Sequence, residues 1–211
     1  MFDRTLLLFG KERFLSYTGK KVLIVGLGGV GGAAAISLVR SGVKFLGLCD
    51  FDKVELSNFN RQVVANTDTL GKLKTEAFQE ILKKINPEIK LKLFSEKVTT
   101  DILDEFDFVI EAIDDLKSKI EVIKYLTEKK IPFISSMGAM GKLDPSLVKI
   151  TTLKKTSADP LARILRHELK GYNFPVVSST EVPNKTKGTF EPVTKNFGLL
   201  LASYCIKELS K

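Results

Sequence analysis

Val22-Leu-Ile-Val-Gly26-Leu-Gly28-Gly29-Val-Gly31 is the stretch that decides the fold of this chain. The four apolar residues at its start predict a buried strand, and the glycines predict a tight turn into the alanine-rich helix that follows. The spacing of Gly26, Gly28 and Gly31 lets the backbone approach a phosphate, which would lie at the positive amino end of that helix. The stretch therefore predicts the phosphate-binding turn of a nucleotide site.

An acidic residue, Asp50, comes directly after the next predicted strand, Phe45–Cys49. It follows the glycine turn by about 20 residues, which is where an acceptor for a ribose hydroxyl is needed. The alternative is a glycine turn that only brings a helix close to a strand. Because strand, turn, helix and acid occur in this order, the sequence favours nucleotide binding.

Downstream, predicted strands and helices alternate, which is typical of a doubly wound, mostly parallel sheet. After Met137 the pattern becomes mixed. The elements expected beyond the glycine turn are helix 71–86, strand 89–94, strand 106–110, helix 116–129, strand 132–136, strand 148–153, helix 159–170, extended segment 175–181, loop 183–192 and apolar helix 197–209. We predict a Rossmann-like α/β fold in a single domain, 1–211. Its nucleotide-binding core is 1–136, and 137–211 is a substrate-side extension of mixed strands and helices.

The composition is that of an ordinary globular protein with excess positive charge. Lysine and arginine number 33 against 25 acidic residues, a formal net charge of +8. This favours a polyanionic partner, although a lysine-rich proteome gives the same balance. The first residues lack the pattern of a signal peptide, and the longest apolar run, 197–206, is too short to cross a bilayer. We therefore expect a cytoplasmic protein with no integral membrane span.

A second polar cluster separates this chain from nicotinamide dehydrogenases. Four polar residues are expected at the same sheet edge as the turn: Asp52, Asn58, Arg61 and Lys74. A dehydrogenase has no need of them. Arginine and lysine neutralise phosphates, and Asp114, after a neighbouring strand, could hold Mg²⁺ together with phosphates and water. The alternative is that the two cations only form ion pairs with nearby carboxylates.

The chain resembles the ubiquitin-activating-like, ATP-dependent adenylating enzymes of the ThiF type over about residues 4–145. The resemblance is carried by Val22–Gly31, Asp50-Phe-Asp52-x-Val-x-x-Ser57-Asn58-x-x-Arg61-Gln62, Gly71-x-x-Lys74, Ile85-Asn86-Pro87 and Ala112-Ile-Asp114. It implies that Mg-ATP is bound by Gly26, Gly28, Gly29, Gly31, Asp50, Asp52, Ser57, Asn58, Arg61, Lys74, Asp114 and Asp115. It implies a catalytic set of Arg4, Arg61, Lys74 and Asp114, with Asp114 as the metal ligand.

The same resemblance implies the reaction and a partner subunit. These enzymes activate a carboxylate, which attacks the α-phosphorus of ATP, releases pyrophosphate and becomes an acyl adenylate. Arg4 matches an arginine that reaches the ATP of the second subunit, and the apolar segment Leu6–Phe9 suits a homodimer interface. Cys49 and Cys205 form no Cys-x-x-Cys pair and are expected in the core, so we predict neither a zinc site nor a thioester step.

Within that superfamily, the chain is most similar to the tRNA threonylcarbamoyladenosine dehydratases. The matching stretches are Leu7–Gly10, Met137–Pro145, Leu153–Ala162 and Ser178–Pro183, although Gly138-x-x-Gly141 is less glycine-rich than the branch. The branch adenylates the threonyl carboxylate of a modified adenosine, and intramolecular attack then closes a ring and expels AMP. Two alternatives stay open: adenylation of a Gly-Gly-ending sulfur-carrier protein, or a nucleotide-sensing or dehydrogenase module. A sulfur-relay protein is a further possible partner.

Basic residues in the second half of the chain suit an RNA partner. The expected nucleic-acid contacts are Lys154, Lys155, Arg163, Arg166 and Lys170, with Lys185 and Lys187 on a loop near the site. In the predicted helix, the three basic positions lie on one face and the leucines Leu161, Leu165 and Leu169 on another. The alternative is a solvated basic face without a partner. His167, between Arg166 and Glu168, is expected to be exposed and not catalytic.

Overall fold

The computed structural model describes residues 1–186 and 188–211, and it contains one seven-stranded sheet. The strands are β1 (Lys21–Val25), β2 (Phe45–Cys49), β3 (Lys90–Phe94), β4 (Phe108–Glu111), β5 (Phe133–Ser136), β6 (Val148–Thr152) and β7 (Pro175–Ser179). The described α-helices are α1 (Asp3–Phe9), α2 (Lys11–Thr18), α3 (Gly29–Arg40), α4 (Lys74–Ile85), α5 (Thr100–Leu103), α6 (Leu116–Glu128), α7 (Pro160–Glu168) and α8 (Glu191–Leu209). The predicted α/β class is confirmed.

The strand order is β3-β2-β1-β4-β5-β7-β6, and only β6 is antiparallel to its neighbour. β1 pairs in parallel with β2 on one side and with β4 on the other. The chain therefore winds outward in both directions from β1. In such sheets the ligand crevice opens at the carboxyl ends of the strands beside this reversal.

Helices cover both faces of the sheet, which explains why β1 is apolar without alternation. Val22 and Ile24 belong to the core that α2, α3, α4 and α8 cover. Leu23 and Val25 belong to the opposite core, under α5, α6 and α7. α3 and α8 lie so close that a Cβ on Gly198 would come within 2.4 Å of a backbone oxygen of α3.

Several predicted boundaries were wrong. α8 begins at Glu191, not at 197, because Pro192 lies in the first helical turn, where the missing N–H costs nothing. α7 ends at Glu168, so Lys170 lies beyond it, and α4 begins at Lys74 after a turn. The short α5 was not predicted. Lys187 lies outside the described residues.

Among the residues that the structure describes, no helix is long and apolar enough to cross a membrane. The segment after β5 adds β7 and β6 to the edge of the same sheet. Its last helix, α8, packs mainly on α3, next to the glycine turn.

Candidate active site

The glycine turn between β1 and α3 requires glycine for steric reasons. Gly26 has a φ of +91°, and a Cβ there would lie 2.5 Å from the carbonyl oxygen of Ala112. A Cβ on Gly31 would lie 1.9 Å from the Gly26 oxygen, so this residue lets the helix pack on the strand. At Gly28 a Cβ would meet nothing within 4 Å. The turn is therefore tight on its protein side and open on the crevice side.

The amino end of α3 faces this opening. Gly28 occupies the cap position, and no side chain of the described residues caps the helix. The first backbone N–H in the helical pattern is that of Gly32, which donates to the Gly28 oxygen. The earlier amides and the positive helix end are therefore free for an anion. Arg61 lies alongside, since a Cβ on Gly29 would be 3.3 Å from its Cγ.

Asp50 presents a buried carboxylate at the end of β2. Its Oδ2 accepts from the amide of Leu27 at 2.6 Å, and its Oδ1 accepts from the amide of Asp52 at 2.8 Å. Burial raises the pKa of Asp50, while Lys74 and the two amides act in the opposite direction. Each carboxylate oxygen can accept a further hydrogen bond, as binding of a ribose hydroxyl requires.

Lys74 lies between the two carboxylates of this edge. Its Nζ is 2.7 Å from Asp52 Oδ2 and 3.8 Å from Asp50 Oδ2, and its side chain is only 7% exposed. The ion pairs of the alternative interpretation are therefore present for Lys74. They do not exhaust the three donors of an ammonium group.

Arg61 has different partners. Its Nη1 donates to the Ser57 carbonyl at 2.8 Å and to the Asn60 side chain at 2.9 Å, so its contacts in the described part of the chain are neutral. Asn58 is buried and accepts from the Glu55 amide at 3.2 Å, while its Nδ2 donates to Ser57 Oγ at 3.2 Å. Asn58 and Ser57 therefore shape the segment that carries Arg61.

Asp114 and Asp115 follow β4, but their environments differ. Asp115 caps α6, accepting from the amide of Ser118 at 2.9 Å and from its hydroxyl at 2.7 Å. The Ser118 hydroxyl, followed by its amide, lowers the pKa of Asp115. Asp114 is exposed, and in the described chain it makes no side-chain hydrogen bond or ion pair. The described residues contain no cluster of three or more His, Cys, Asp or Glu suited to a metal. A single free carboxylate nonetheless fits Mg²⁺ that phosphates and water also bind.

Arg4 is not brought to this edge within one chain. It is exposed on α1, whose first residues line a surface cavity together with Lys44 and Glu88. Lys44 and Glu88 precede β2 and β3, so they lie at the amino ends of the strands, opposite the glycine turn. Leu7 and Leu8 of the same helix are 77% and 81% exposed.

The basic residues of the second half are mostly exposed. This holds for Lys154, Lys155, Arg163 and Lys170. Arg166 is half-buried and donates to both oxygens of Thr156, so it ties the segment before α7 to the last turn of that helix. The leucine face of α7 packs on the core as predicted, and the His167 side chain is 74% exposed, also as predicted.

Both cysteines are buried and unpaired, as predicted. Burial raises the pKa of Cys49 to about 12 and raises that of Cys205 well above its usual range. Neither thiol is therefore suited to carry an acyl group.

Two buried ion pairs were missed from the sequence. Lys119 pairs with Glu111, and Lys142 pairs with Asp159. The sequence signal that could have indicated a buried pair was Glu111, an acidic residue at the end of an otherwise apolar strand. A lysine eight residues later gave no sign of facing inward, because its helix is lysine-rich.

Comparison with known proteins gives a consistent result. The model of the ThiF family matches residues 2–211. The tRNA threonylcarbamoyladenosine dehydratase of Escherichia coli is 36% identical over 185 residues, covering 85% of this chain and 69% of that protein. The enzyme of the same name from Bacillus subtilis is 38% identical over 174 residues, covering 80% and 68%. The crystal structure of the E. coli enzyme in complex with ATP superposes with a TM-score of 0.94 at 33% identity, covering 99% of this chain and 93% of that one.

Proposed function

The chain belongs to the ThiF family, and from that premise we propose that it is an ATP-dependent adenylating enzyme that dehydrates N6-threonylcarbamoyladenosine in tRNA. One observation carries the proposal. A free helix amino end, a ribose-type acid, two cations and an unpaired carboxylate meet at one sheet edge, with no reactive thiol among the described residues. Similarity to the dehydratases supports the choice of substrate.

In this proposal each part of the edge binds one part of ATP. The turn at Gly28 and Gly29 and the amino end of α3 bind phosphate, and Asp50 accepts from the ribose. Lys74 and Arg61 neutralise phosphate charge, and Asp114 holds Mg²⁺. When bound, Mg²⁺ supplies further neutralisation of phosphate charge.

In the proposed reaction, the cations of this edge stabilise the negative charge that develops as ATP is attacked. The threonyl carboxylate attacks the α-phosphorus, the bond to the β-phosphate oxygen breaks, and pyrophosphate leaves. Negative charge grows on the leaving group and on the α-phosphate oxygens, where Lys74 and Arg61 stabilise it. Intramolecular attack on the adenylate closes the ring and expels AMP. No protein nucleophile is required, in agreement with the raised pKa of both thiols.

We place the tRNA on the segment after residue 136, in contact with Lys154, Lys155, Arg163 and Lys170. These side chains are exposed and cationic, as phosphate contacts require. Arg166 serves first to tie the segment at Thr156 to α7. Because the substrate is tRNA, we expect the protein in the cytoplasm. A sulfur-relay partner stays a prediction.

The position of Arg4 favours a homodimer. It lies at the sheet edge opposite its own site, on a helix whose Leu7 and Leu8 are exposed. A two-fold pair could bring each Arg4 to the partner's crevice. Mixing Arg4→Ala protein with Lys74→Met protein should restore part of the activity, because some heterodimers carry one intact site. Full activity of a monomeric Arg4→Ala protein would refute this arrangement.

The function is tested by pyrophosphate release from ATP with three substrates. These are tRNA that carries threonylcarbamoyladenosine, the same tRNA without the modification, and a carrier protein ending in Gly-Gly. We expect pyrophosphate release with the modified tRNA and with neither of the other two substrates. Release only with the carrier protein would replace the tRNA assignment by the protein-activating one.

A further inference from the structure

The proposed mechanism leaves unused a buried ion pair that lies behind Asp114. Glu111 ends β4 and Lys119 lies in α6, and both side chains are fully buried. The Lys119 ammonium is 2.8 Å from Glu111 Oε1 and 2.7 Å from Oε2. Ser135 of β5 donates to the same carboxylate. The pair thus joins two strands and a helix beneath the carboxyl edge of the sheet.

The pair also holds both backbone groups of Ile113. The Ile113 amide donates to Glu111 Oε1 at 2.8 Å, and the Ile113 carbonyl accepts from Lys119 Nζ at 3.0 Å. The preceding residue, Ala112, has its carbonyl against Gly26 of the phosphate turn. The backbone directly before Asp114 is therefore held by the ion pair at Ile113 and lies against the glycine turn at Ala112.

Stability alone does not account for this arrangement. Burying two charges is costly, and well-packed apolar residues of similar volume often serve a fold as well or better. An apolar pair could not bond to the amide and the carbonyl of Ile113 together. The direction of the Asp114 side chain is set by this backbone, because that side chain bonds to none of the described residues and Asp115, not Asp114, caps α6.

We propose that Glu111 and Lys119 are positioning residues that hold Asp114 where its carboxylate binds the Mg²⁺ of Mg-ATP. The proposal rests on the proposed function of Asp114. Partners that orient a metal ligand typically change metal affinity or activity by about 10- to 100-fold when removed.

The test is a Glu111→Leu/Lys119→Met double variant, which removes both charges and both bonds to Ile113 at similar side-chain volume. ATP affinity is measured by calorimetry in excess Mg²⁺ and in EDTA, without tRNA. We expect the dissociation constant to rise about tenfold with Mg²⁺ and to stay unchanged in EDTA. Amide hydrogen exchange of the metal-free protein should accelerate in residues 111–116.

A matched control removes the other buried pair, by Lys142→Met/Asp159→Asn. The Lys142 and Asp159 side chains are 1% and 0% exposed. Asp159 caps α7, and in the described chain neither residue bonds to the backbone before Asp114. Its loss should lower stability and leave the Mg²⁺-dependent part of ATP affinity as in the wild type. Lys74→Met should weaken ATP binding with and without Mg²⁺. If it does not, the ATP site itself is misassigned, which is a separate failure.

For the double variant, two results would overturn the proposal: wild-type ATP affinity in both conditions, or equal losses of ATP affinity with Mg²⁺ and in EDTA. Equal losses would make the pair a support of the nucleotide site as a whole. If the double variant does not fold, Ser135→Ala carries the test, since it removes one donor to Glu111 and leaves both charges. Because only one hydrogen bond from a neutral donor to Glu111 is lost, we expect a shift of about threefold in Mg²⁺-dependent affinity, and an unchanged value would reject the positioning role.

Discussion

Replacing Lys74 by methionine should damage stability and ATP binding together, and the stability loss should depend on pH. Methionine keeps most of the buried stem of the side chain and removes the ammonium. The ammonium is 3.8 Å from the buried carboxylate of Asp50 and 2.7 Å from that of Asp52, whose side chain is 52% exposed. The two contacts must therefore be weighed separately.

At 3.8 Å, the Coulomb attraction to Asp50 is about 4 kcal/mol for an effective dielectric constant of about 20. The half-exposed contact with Asp52 adds no more than about 1 kcal/mol. The cost of burying the ammonium offsets part of this sum, but removing Lys74 leaves the Asp50 carboxylate buried without a cation. We expect the free energy of unfolding at pH 7 to fall by about 2–4 kcal/mol.

The pH dependence follows from the pKa of Asp50. Burial already raises it, and Lys74 is the largest opposing influence. Without Lys74, the folded-state pKa moves further above the unfolded value of about 3.9. A group of this kind stabilises the fold below its unfolded pKa, and this contribution is lost as pH rises through the folded pKa. The deficit of the variant should therefore be largest at neutral pH and shrink toward pH 4.

Urea unfolding at pH 7 and pH 4.5 measures the stability change, and calorimetry measures ATP affinity. Loss of a charge-assisted contact of about 1.5–3 kcal/mol should raise the dissociation constant roughly 10- to 150-fold. Lys72→Met is the matched control, because the Lys72 side chain is 39% exposed and its ammonium pairs with exposed Glu80. It should change stability by less than about 1 kcal/mol. A Lys74→Met protein with a pH-independent deficit and wild-type ATP affinity would refute the reasoning.

Three further variants test other parts of the account. Gly26→Ala should destabilise the fold by about 3 kcal/mol or more, because its Cβ would lie 2.5 Å from a carbonyl oxygen at a φ of +91°; an unchanged urea midpoint would contradict the turn geometry. Replacing Cys49 and Cys205 together by alanine should cost about 2 kcal/mol of packing and leave adenylation and product formation intact; a folded variant stalled at the adenylate would revive a thioester step. Reversing Arg163 and Lys170 to glutamate should weaken tRNA binding and reduce the slope of log affinity against log salt by about 2, with ATP affinity unchanged; normal tRNA binding at physiological salt would exclude this surface.

Local patterns predicted which residues share this sheet edge, because their placement is set by chain order. Once β1 and β2 are recognised, Gly26 and Asp50 must meet at the carboxyl end of the sheet. The same logic placed Asp114 at the end of β4. The start of α8 was misplaced because Pro192 is compatible with both a loop and the first turn of a helix. The end of α7 was placed two residues too late.

Long-range side-chain pairing could not be predicted in this way. Lys119 carries no local sign of burial, since it lies in a helix with other lysines that face solvent. Its partner Glu111 is eight residues earlier, and Ser135 comes from another strand. Arg166 was predicted to contact nucleic acid, and its structural role appears only in the hydrogen bond to Thr156.

The most direct test of the central claim follows one oxygen atom. tRNA is prepared with ¹⁸O in the threonyl carboxylate and turned over with ATP, and AMP and pyrophosphate are analysed by mass spectrometry. If the carboxylate attacks the α-phosphorus, ring closure must leave one ¹⁸O on AMP and none on pyrophosphate. Formation of ADP with ¹⁸O in inorganic phosphate would show attack at the γ-phosphorus instead, and would contradict adenylation by this chain.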